Sequence, residues 1–172
     1  MSKLVIVTHP GDPESVINSR WVEELKKHGD ITVHELCKEY PDEKIDIKKE
    51  QALVDAHDTI VFQFPIWWYS SPSLLKKWMD LVLTPDWAYL NHYALEGKKI
   101  AFAVTAGGTA ADYTREGTCK ASMEDILKPF IVSCSYIKAV YSGVFECYNT
   151  FGITPEELNK NAEQYIEFIK SL

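Results

Sequence analysis

Apolar segments with the pattern of buried strands alternate along this chain with amphipathic segments that have the pattern of helices. Strands are predicted at Lys3–Thr8, Ile31–Leu36, Asp58–Gln63, Lys99–Thr105 and Val140–Cys147. Helices are predicted at Ser15–His28, Lys48–Ala56, Ser73–Leu83, within Ser122–Tyr136, and from a capping Thr154 to about Lys170. Such alternation with short connections is typical of an α/β doubly wound parallel sheet with helices on both faces.

The length of 172 residues suits one domain with a good core, and the chain shows no internal repeat or linker. We therefore expect a single domain over residues 1–172, with five strands in the flavodoxin-like order 2-1-3-4-5. The switch point of that order lies between strands 1 and 3, and open α/β sheets bind ligands there, outside the carboxyl ends of the strands. The loops over residues 8–14 and 64–71 are therefore the first candidates for a ligand site.

Charge and composition exclude several classes of protein. The formal charge is −7, from 18 Lys and Arg against 25 Asp and Glu, which disfavours a nucleic-acid partner because such a protein needs a basic face. No window approaches the ~20 apolar residues of a spanning helix, and the N-terminus runs straight into patterned structure. Cys37, Cys119, Cys134 and Cys147 show neither C-x-x-C pairing nor metal-ligand spacing, so we expect reduced thiols, no metal site and a cytoplasmic location.

The third strand leads into three consecutive aromatic residues, Trp67, Trp68 and Tyr69, which lie between two prolines. Their rings offer flat faces for stacking a planar ligand, and the prolines stiffen the loop that holds them. Ser73 is placed to cap the helix that follows. The alternative is that these aromatic side chains fill core or a subunit interface.

The loop after the first strand has the residues of an anion site. It lacks both G-x-G-x-x-G and the P-loop pattern, which argues against a dinucleotide Rossmann site and against an NTPase. It leads into a helix N-terminus, whose free N–H groups favour a phosphate, and His9, Ser15 and Asn18 supply side-chain donors. Ser15 taken alone is equally well explained as a helix cap, and His9 as a structural loop histidine.

A third loop follows the fourth strand and contains the pair Gly107-Gly108. Paired glycines allow the backbone to approach a ligand closely and to present N–H groups to its polar edge, although an isolated pair is more often a simple turn. The three loops together supply a phosphate site, a stacking surface and polar contacts for a ring. They predict a planar heterocycle that carries a phosphate, a description that flavin mononucleotide (FMN) fits.

Several segments of the chain carry a family resemblance: Thr8-His9-Pro10 with Ser15-x-x-Asn18, Tyr40-Pro41-Asp42, Ile45-Asp46-Ile47, Gln63 to Ser70, Leu74-Leu75-Lys76-x-Trp78-Met79-Asp80, Trp87-Ala88-Tyr89, Leu95-x-Gly97-Lys98 and Val104-Thr105-x-Gly107-Gly108. Through them the chain resembles the flavodoxin-like NAD(P)H:quinone oxidoreductase family over nearly its whole length. Its short bacterial members include ancillary oxidoreductase subunits of glutathione-gated potassium efflux systems and general stress proteins. The resemblance implies non-covalent FMN rather than FAD, NADH or NADPH as hydride donor, and a homodimer.

The resemblance also implies site residues. Those that match the family's flavin-binding segments are His9, Ser15, Val16, Ile17, Asn18, Ile66, Trp67, Trp68, Tyr69, Ala106, Gly107, Gly108 and Thr109. Tyr113 stands where animal relatives have a catalytic tyrosine that helps to handle charge during hydride transfer. Those relatives pair it with a histidine six residues later, where this chain has Cys119, and a thiol is a poor proton relay at neutral pH.

These observations predict an FMN-dependent NAD(P)H oxidoreductase that reduces quinones or related electrophiles by two-electron hydride transfer, with ping-pong kinetics. The main alternative is a flavin-bearing regulatory subunit that docks on a membrane potassium efflux transporter, at the inner face of the membrane. An electron-shuttling flavodoxin is less favoured, because the hydroxyl-rich phosphate loop of such proteins does not occur in this sequence.

Overall fold

A computed structural model describes residues 2–11 and 15–172; residues 12–14 of the predicted first loop lie outside the described part. The sheet has the order β2-β1-β3-β4-β5 and every pairing is parallel, which confirms the predicted flavodoxin-like topology. Its strands are β1 Lys3–Val7, β2 Ile31–Glu35, β3 Thr59–Pro65, β4 Lys99–Thr105 and β5 Val140–Cys147. The helices are α1 Val16–Leu25, α2 Leu36–Glu39, α3 Ile47–Asp55, α4 Ser73–Val82, α5 Met123–Ile126, α6 Lys128–Tyr136 and α7 Pro155–Ser171.

Helices cover both faces of the sheet, as predicted. On one face α1 and α7 pack around the buried rings of Trp21 and Tyr165, whose centroids are 4.5 Å apart. On the other face α2, α3, α4 and α6 surround the buried rings of Phe62, Trp78 and Phe102. Every residue of the central strand β3 is buried, because layers of helices cover it on both sides.

Some element boundaries differ from the predicted ones. Helix α1 ends at Leu25 rather than at His28, and a short helix that the pattern did not predict, α2, begins at Leu36. Leu36 is fully buried. An apolar, buried residue can end a strand or begin a helix, so its character did not distinguish the two. The N-cap of α4 is Pro72, and the predicted cap, Ser73, is the first residue inside the helix.

The helix predicted within Ser122–Tyr136 is divided into α5 and α6. Pro129 lies in the first turn of α6, where the missing N–H of a proline leaves no hydrogen bond unmade. Thr154 caps α7 as predicted, and its capping box is completed by Glu157. None of the helices in residues 2–11 and 15–172 is long and apolar enough to cross a membrane.

A fully buried carboxylate joins β2, α3 and α4. Glu50 of α3 accepts hydrogen bonds from Tyr40 Oη at 2.7 Å, Trp78 Nε1 at 2.7 Å and His34 Nε2 at 3.0 Å. The neighbouring Gln51 donates to a carbonyl oxygen at the end of α4 at 3.0 Å. Because α4 directly follows the aromatic loop, this network fixes the element on which that loop is mounted.

Candidate functional site

The carboxyl ends of the strands open onto a cavity of about 610 Å³, a volume typical of small-molecule sites. Loops after β1, β3, β4 and β5 meet there, at the edge of the sheet where open α/β folds bind ligands. The lining residues are His9, Ser15, Val16, Ile17, Pro65, Ile66, Trp67, Thr105, Gly107, Gly108, Tyr113, Thr150 and Phe151. Most of the predicted cofactor-binding residues and the predicted catalytic Tyr113 are therefore brought together.

Trp68 and Tyr69 lie beside this cavity rather than in its wall. They line an adjoining cavity of about 180 Å³, which shares Ile66 and Tyr113 with the larger one. Ala106, also predicted to bind the cofactor, is 2% exposed and donates its backbone N–H to the carbonyl oxygen at the end of β5. Most of the predicted residues thus line one of two joined cavities, whereas Ala106 lies in the layer beneath them.

The aromatic residues are carried by a two-residue hairpin turn. The backbone of Trp67 exchanges two hydrogen bonds with that of Ser70, at 2.9 and 3.0 Å. At the centre of the turn Trp68 and Tyr69 both have left-handed backbone, with φ of 47° and 59°. This conformation strains residues with bulky side chains, and such strain concentrates at ligand sites. The turn leaves Trp68 95% exposed.

His9 is an uncharged hydrogen-bond donor at the cavity wall. Its Nδ1 accepts a hydrogen bond from the backbone N–H of Gly11 at 3.1 Å, which leaves the ring proton on Nε2. Burial lowers the pKa of His9, so the ring is neutral at pH 7. The ring lies edge-on to Trp67, with centroids 6.0 Å apart.

Ser15 and Asn18 belong to a buried polar network. Ser15 caps α1, since its Oγ accepts from the backbone N–H of Asn18 at 2.9 Å. The Asn18 amide, 3% exposed, donates to Ser15 Oγ at 3.0 Å and to Thr105 Oγ1 at 3.2 Å, and accepts from Gln63 Nε2 at 3.1 Å. Asn18 was predicted to donate to a phosphate, but here both of its amide hydrogens are directed to protein oxygens. It supports Ser15 and Thr105, while the first turn of α1 supplies the N–H groups that favour an anion.

Each of the paired glycines lies under an aromatic ring. A Cβ built on Gly107 would lie 2.7 Å from Phe151 Cε2, and one on Gly108 would lie 3.1 Å from Tyr113 Cε2. Neither glycine has a positive φ, so a side chain here would be disfavoured by crowding against these rings and not by backbone conformation. The sequence predicted that a ligand approaches this pair closely. In the structure both glycines line the larger cavity, and the rings of Phe151 and Tyr113 lie beside them.

The loop after the glycine pair is organised by the carboxylate of Asp112. It accepts hydrogen bonds from the backbone N–H and Oγ1 of Thr109, at 2.8 and 2.7 Å, and from Thr118 Oγ1 at 2.8 Å. A Cβ on Gly117 would lie 2.1 Å from the carbonyl oxygen of Ala111, so the turn admits only glycine. Thr109, predicted to bind the cofactor, shapes this loop and does not line either cavity.

Tyr113 is a protonated hydroxyl donor in the wall shared by the two cavities. Its ring packs on that of Tyr148, with centroids 5.2 Å apart. Burial raises the pKa of Tyr113, so its hydroxyl keeps its proton at neutral pH. Cys119 Sγ lies 4.0 Å from Tyr69 Oη, and this contact raises the pKa of Tyr69. The Cys119 thiol, which the sequence comparison placed six residues after Tyr113, therefore contacts Tyr69 rather than Tyr113.

The remaining thiols, Cys37, Cys134 and Cys147, line neither cavity. All four cysteines are free. Burial raises the pKa of Cys134 and of Cys147 to about 11, which keeps both protonated. Within the described ranges, 2–11 and 15–172, no group of three His, Cys, Asp or Glu side chains is placed to hold a metal ion.

Four residues of the larger cavity were not among the predicted site residues. Pro65 and Thr105 end β3 and β4, whose loops were predicted, but Thr150 and Phe151 come from a loop that was not. They belong to the loop after β5, and the signal for this loop was available: β5 is the neighbour of β4, so its carboxyl end meets the same edge of the sheet. The loop is joined to the glycine pair by a hydrogen bond from the backbone N–H of Asn149 to the carbonyl oxygen of Gly108, at 2.8 Å.

Comparison with known proteins places this geometry in a family. A family model described as "Flavodoxin-like fold" matches residues 1–169. The chain belongs to the flavodoxin-like fold family. Among solved structures, general stress protein 14 from Treponema denticola in complex with FMN superposes with a TM-score of 0.95 at 39% identity, over 99% of each chain.

Two curated relatives match this chain over nearly their full length. The uncharacterized NAD(P)H oxidoreductase YrkL of Bacillus subtilis (strain 168) is 41% identical over 172 residues, which are 99% of each chain. The glutathione-regulated potassium-efflux system ancillary protein KefG of Yersinia pestis (strain Pestoides F) is 34% identical over 169 residues, 98% of this chain and 93% of the relative.

Proposed function

We propose that the protein is an FMN-dependent NAD(P)H oxidoreductase that reduces quinones or related electrophiles by hydride transfer. The observation that carries the proposal is the meeting of a helix N-terminus, an exposed aromatic turn and a glycine loop around one cavity of about 610 Å³. This combination suits a planar heterocycle with a phosphate. The relative solved in complex with FMN and the relative named as an NAD(P)H oxidoreductase support it.

The residues present fit FMN. The first turn of α1, capped by Ser15, would hold the phosphate, because helix N-termini bind anions. His9 would add a neutral donor. The 41% exposed ring of Trp67 and the backbone of the glycine pair would hold the flavin ring.

Bound FMN would supply the hydride chemistry, and the chain would supply binding, orientation and electrostatics. Tyr113 offers a protonated hydroxyl at the wall between the cavities, suited to stabilising negative charge that develops during transfer. The smaller cavity, edged by Trp68 and Tyr69, would admit NADH or NADPH and then the acceptor. Use of one opening by both substrates in turn gives ping-pong kinetics.

The function is tested by the colour of the protein. Anaerobic addition of NADH or NADPH to the FMN-loaded protein should bleach the flavin band in the blue, and a quinone should restore it. Initial rates at several fixed quinone concentrations should give parallel double-reciprocal lines. A loaded protein that neither nicotinamide bleaches would contradict the proposal.

Replacement of Trp67 by Ala should weaken FMN binding about fivefold, since aromatic stacking contributes about 1 kcal/mol beyond area burial. Trp68→Ala should weaken it less, because Trp68 lines only the smaller cavity. The measurement is quenching of flavin fluorescence when the apoprotein is titrated into FMN, with FAD titrated in parallel. Val132→Ala, which removes a 54% exposed apolar side chain that lines neither cavity, is the control. Unchanged affinity in both tryptophan variants would show that the ring binds elsewhere.

We propose further that the protein is a homodimer with its active site at the two-fold interface. Trp68, Tyr69, Leu90 and Tyr136 are each more than half exposed, and a partner subunit would cover such large apolar side chains. Sedimentation should give twice the 19.6 kDa of one chain. Leu90→Arg should shift the protein towards monomers and lower its activity. A parent protein that sediments as a fully active monomer would overturn this.

The similarity to KefG favours a second candidate, a flavin-bearing regulatory subunit that docks on a membrane potassium efflux transporter. Oxidoreductase activity would then be secondary. The tagged protein should in that case recover a transporter from solubilised membranes of its native host. If no membrane protein is recovered and quinone turnover is full, the regulatory role is contradicted and only the enzymatic function is supported.

A further inference from the structure

Among the described residues, the two most exposed large apolar side chains are Trp68 and Phe151, each 95% exposed. They come from the loops after β3 and after β5, yet they border the same pair of joined cavities: Trp68 the smaller and Phe151 the larger. Val16, at the start of α1, is 68% exposed and also lines the larger cavity. Apolar side chains left in water around a concave site gain free energy when a ligand covers them.

The Phe151 ring lies against Gly107 although 95% of the side chain is exposed. Its Cε2, Cδ2 and Cζ atoms would lie 2.7, 3.4 and 3.8 Å from a Cβ on Gly107, so one edge of the ring rests on that glycine. Two backbone hydrogen bonds hold the segment below it: Thr150 N–H to the carbonyl oxygen of Ala106 at 3.3 Å, and Asn149 N–H to that of Gly108 at 2.8 Å. The backbone that carries the ring is thus held at the cavity, and a bound ring system would bury the exposed Phe151 side chain.

We propose that Phe151 is a binding residue of the flavin site, whose ring contacts bound FMN, and that Gly107 is kept without a side chain in order to seat that ring. The inference rests on the proposed function. It adds an aromatic contact from the loop after β5 to those from the turn at Trp67. It also gives the glycine pair a role that a simple turn does not explain, since Gly107 has no positive φ.

A double-mutant cycle on Phe151 and Gly107 tests the proposal, with FMN affinity measured by fluorescence quenching. Phe151→Ala should weaken binding about fivefold to tenfold, and Phe151→Leu by less. Gly107→Ala should also weaken binding, because its methyl group displaces the ring. Added to Phe151→Ala, it should cost little more, because the ring that the methyl would displace is gone. A full further loss in the double variant would show that Gly107 serves the ligand directly and would overturn its assigned role.

Val140→Ala is the matched control, since it removes a half-exposed apolar side chain from the opposite end of β5 and should bind FMN as the parent does. Phe151→Ala should melt at the parent's temperature without FMN, because the side chain is exposed. If the parent binds no FMN, the proposed function fails. If the parent binds FMN and Phe151→Ala binds it equally, this inference alone fails. Dissociation of a dimer by Phe151→Ala at unchanged FMN affinity would assign the ring to a subunit contact and overturn the proposal.

Discussion

Replacement of Glu50 by Ala is expected to destabilise the protein by about 3–5 kcal/mol, the usual effect of removing one partner from a buried charged network. The side chain is fully buried, and its carboxylate is the acceptor for Tyr40 Oη, Trp78 Nε1 and His34 Nε2. Each donor left unsatisfied costs about 1–3 kcal/mol. The measurement is the urea midpoint of unfolding, compared at equal m-value.

Two variants separate the network from a general effect of losing an acid. Glu50→Gln keeps an acceptor oxygen and the shape of the side chain, so it should be less harmful than Glu50→Ala. Glu163→Ala removes an exposed acid from α7 and should change stability by no more than about 0.5 kcal/mol. Equal losses in Glu50→Ala and Glu163→Ala would refute the role given to the network.

The pH dependence of stability carries a further signature of Glu50. Burial alone raises the pKa of this carboxyl, but hydrogen bonds from His34, Tyr40 and Trp78 outweigh burial and hold the pKa below its ordinary value of 4.5. Ionised Glu50 therefore contributes stability that is present above pH 4.5 and is lost as the pH falls through the lower folded value. Below pH 4.5 the stability of Glu50→Gln should fall less steeply than that of the parent. Parallel curves would mean that another group is responsible.

Tyr113→Phe is expected to slow reduction of bound flavin by NAD(P)H on the order of tenfold or more, because a preorganised donor to developing negative charge is worth a few kcal/mol. Burial raises the pKa of Tyr113 and so keeps its donor proton in place. Cys119→Ser should change the rate little, since the thiol contacts Tyr69 at 4.0 Å and serine retains a small polar group there. Stopped-flow absorbance at the flavin band measures both rates.

Tyr148→Phe is the matched control for Tyr113→Phe. The Tyr148 ring packs on Tyr113, but its hydroxyl donates to Glu146 at 2.9 Å and lines neither cavity. Its loss should leave the reduction rate unchanged. The opposite ranking, with Cys119→Ser severe and Tyr113→Phe mild, would move the proton-handling role to the thiol beside Tyr69.

The topology could be predicted from the sequence because each strand is a local run of apolar residues. Strands β4 and β5 begin and end at the predicted residues, and β3 extends two residues further, to Pro65, because it pairs there with the end of β4. The short helix α2 could not be predicted, since a buried Leu36 is compatible with either a strand or a helix. Its conformation depends on what it packs against rather than on its own pattern.

In the site, the sequence identified the loops better than the role of each side chain. The amide of Asn18 is directed inward by Gln63 and Thr105, which lie 45 and 87 residues away along the chain. Likewise, nothing in the local pattern around Gly107 shows that Phe151 rests on it. Loop identity follows from strand order, whereas these orientations follow from contacts between segments that are distant in sequence.

The left-handed backbone at Trp68 and Tyr69 lowers the stability of the fold, while under the proposed function their rings serve ligand binding. Each such residue is strained by about 1–3 kcal/mol. A two-residue turn of this conformation prefers Asn followed by Gly. The double substitution Trp68→Asn with Tyr69→Gly should therefore stabilise the fold, and it would remove both aromatic rings from the edge of the smaller cavity. Under the proposed function, selection for thermal stability alone would favour substitutions at these two positions. The selected protein would be more stable and would bind its substrates more weakly.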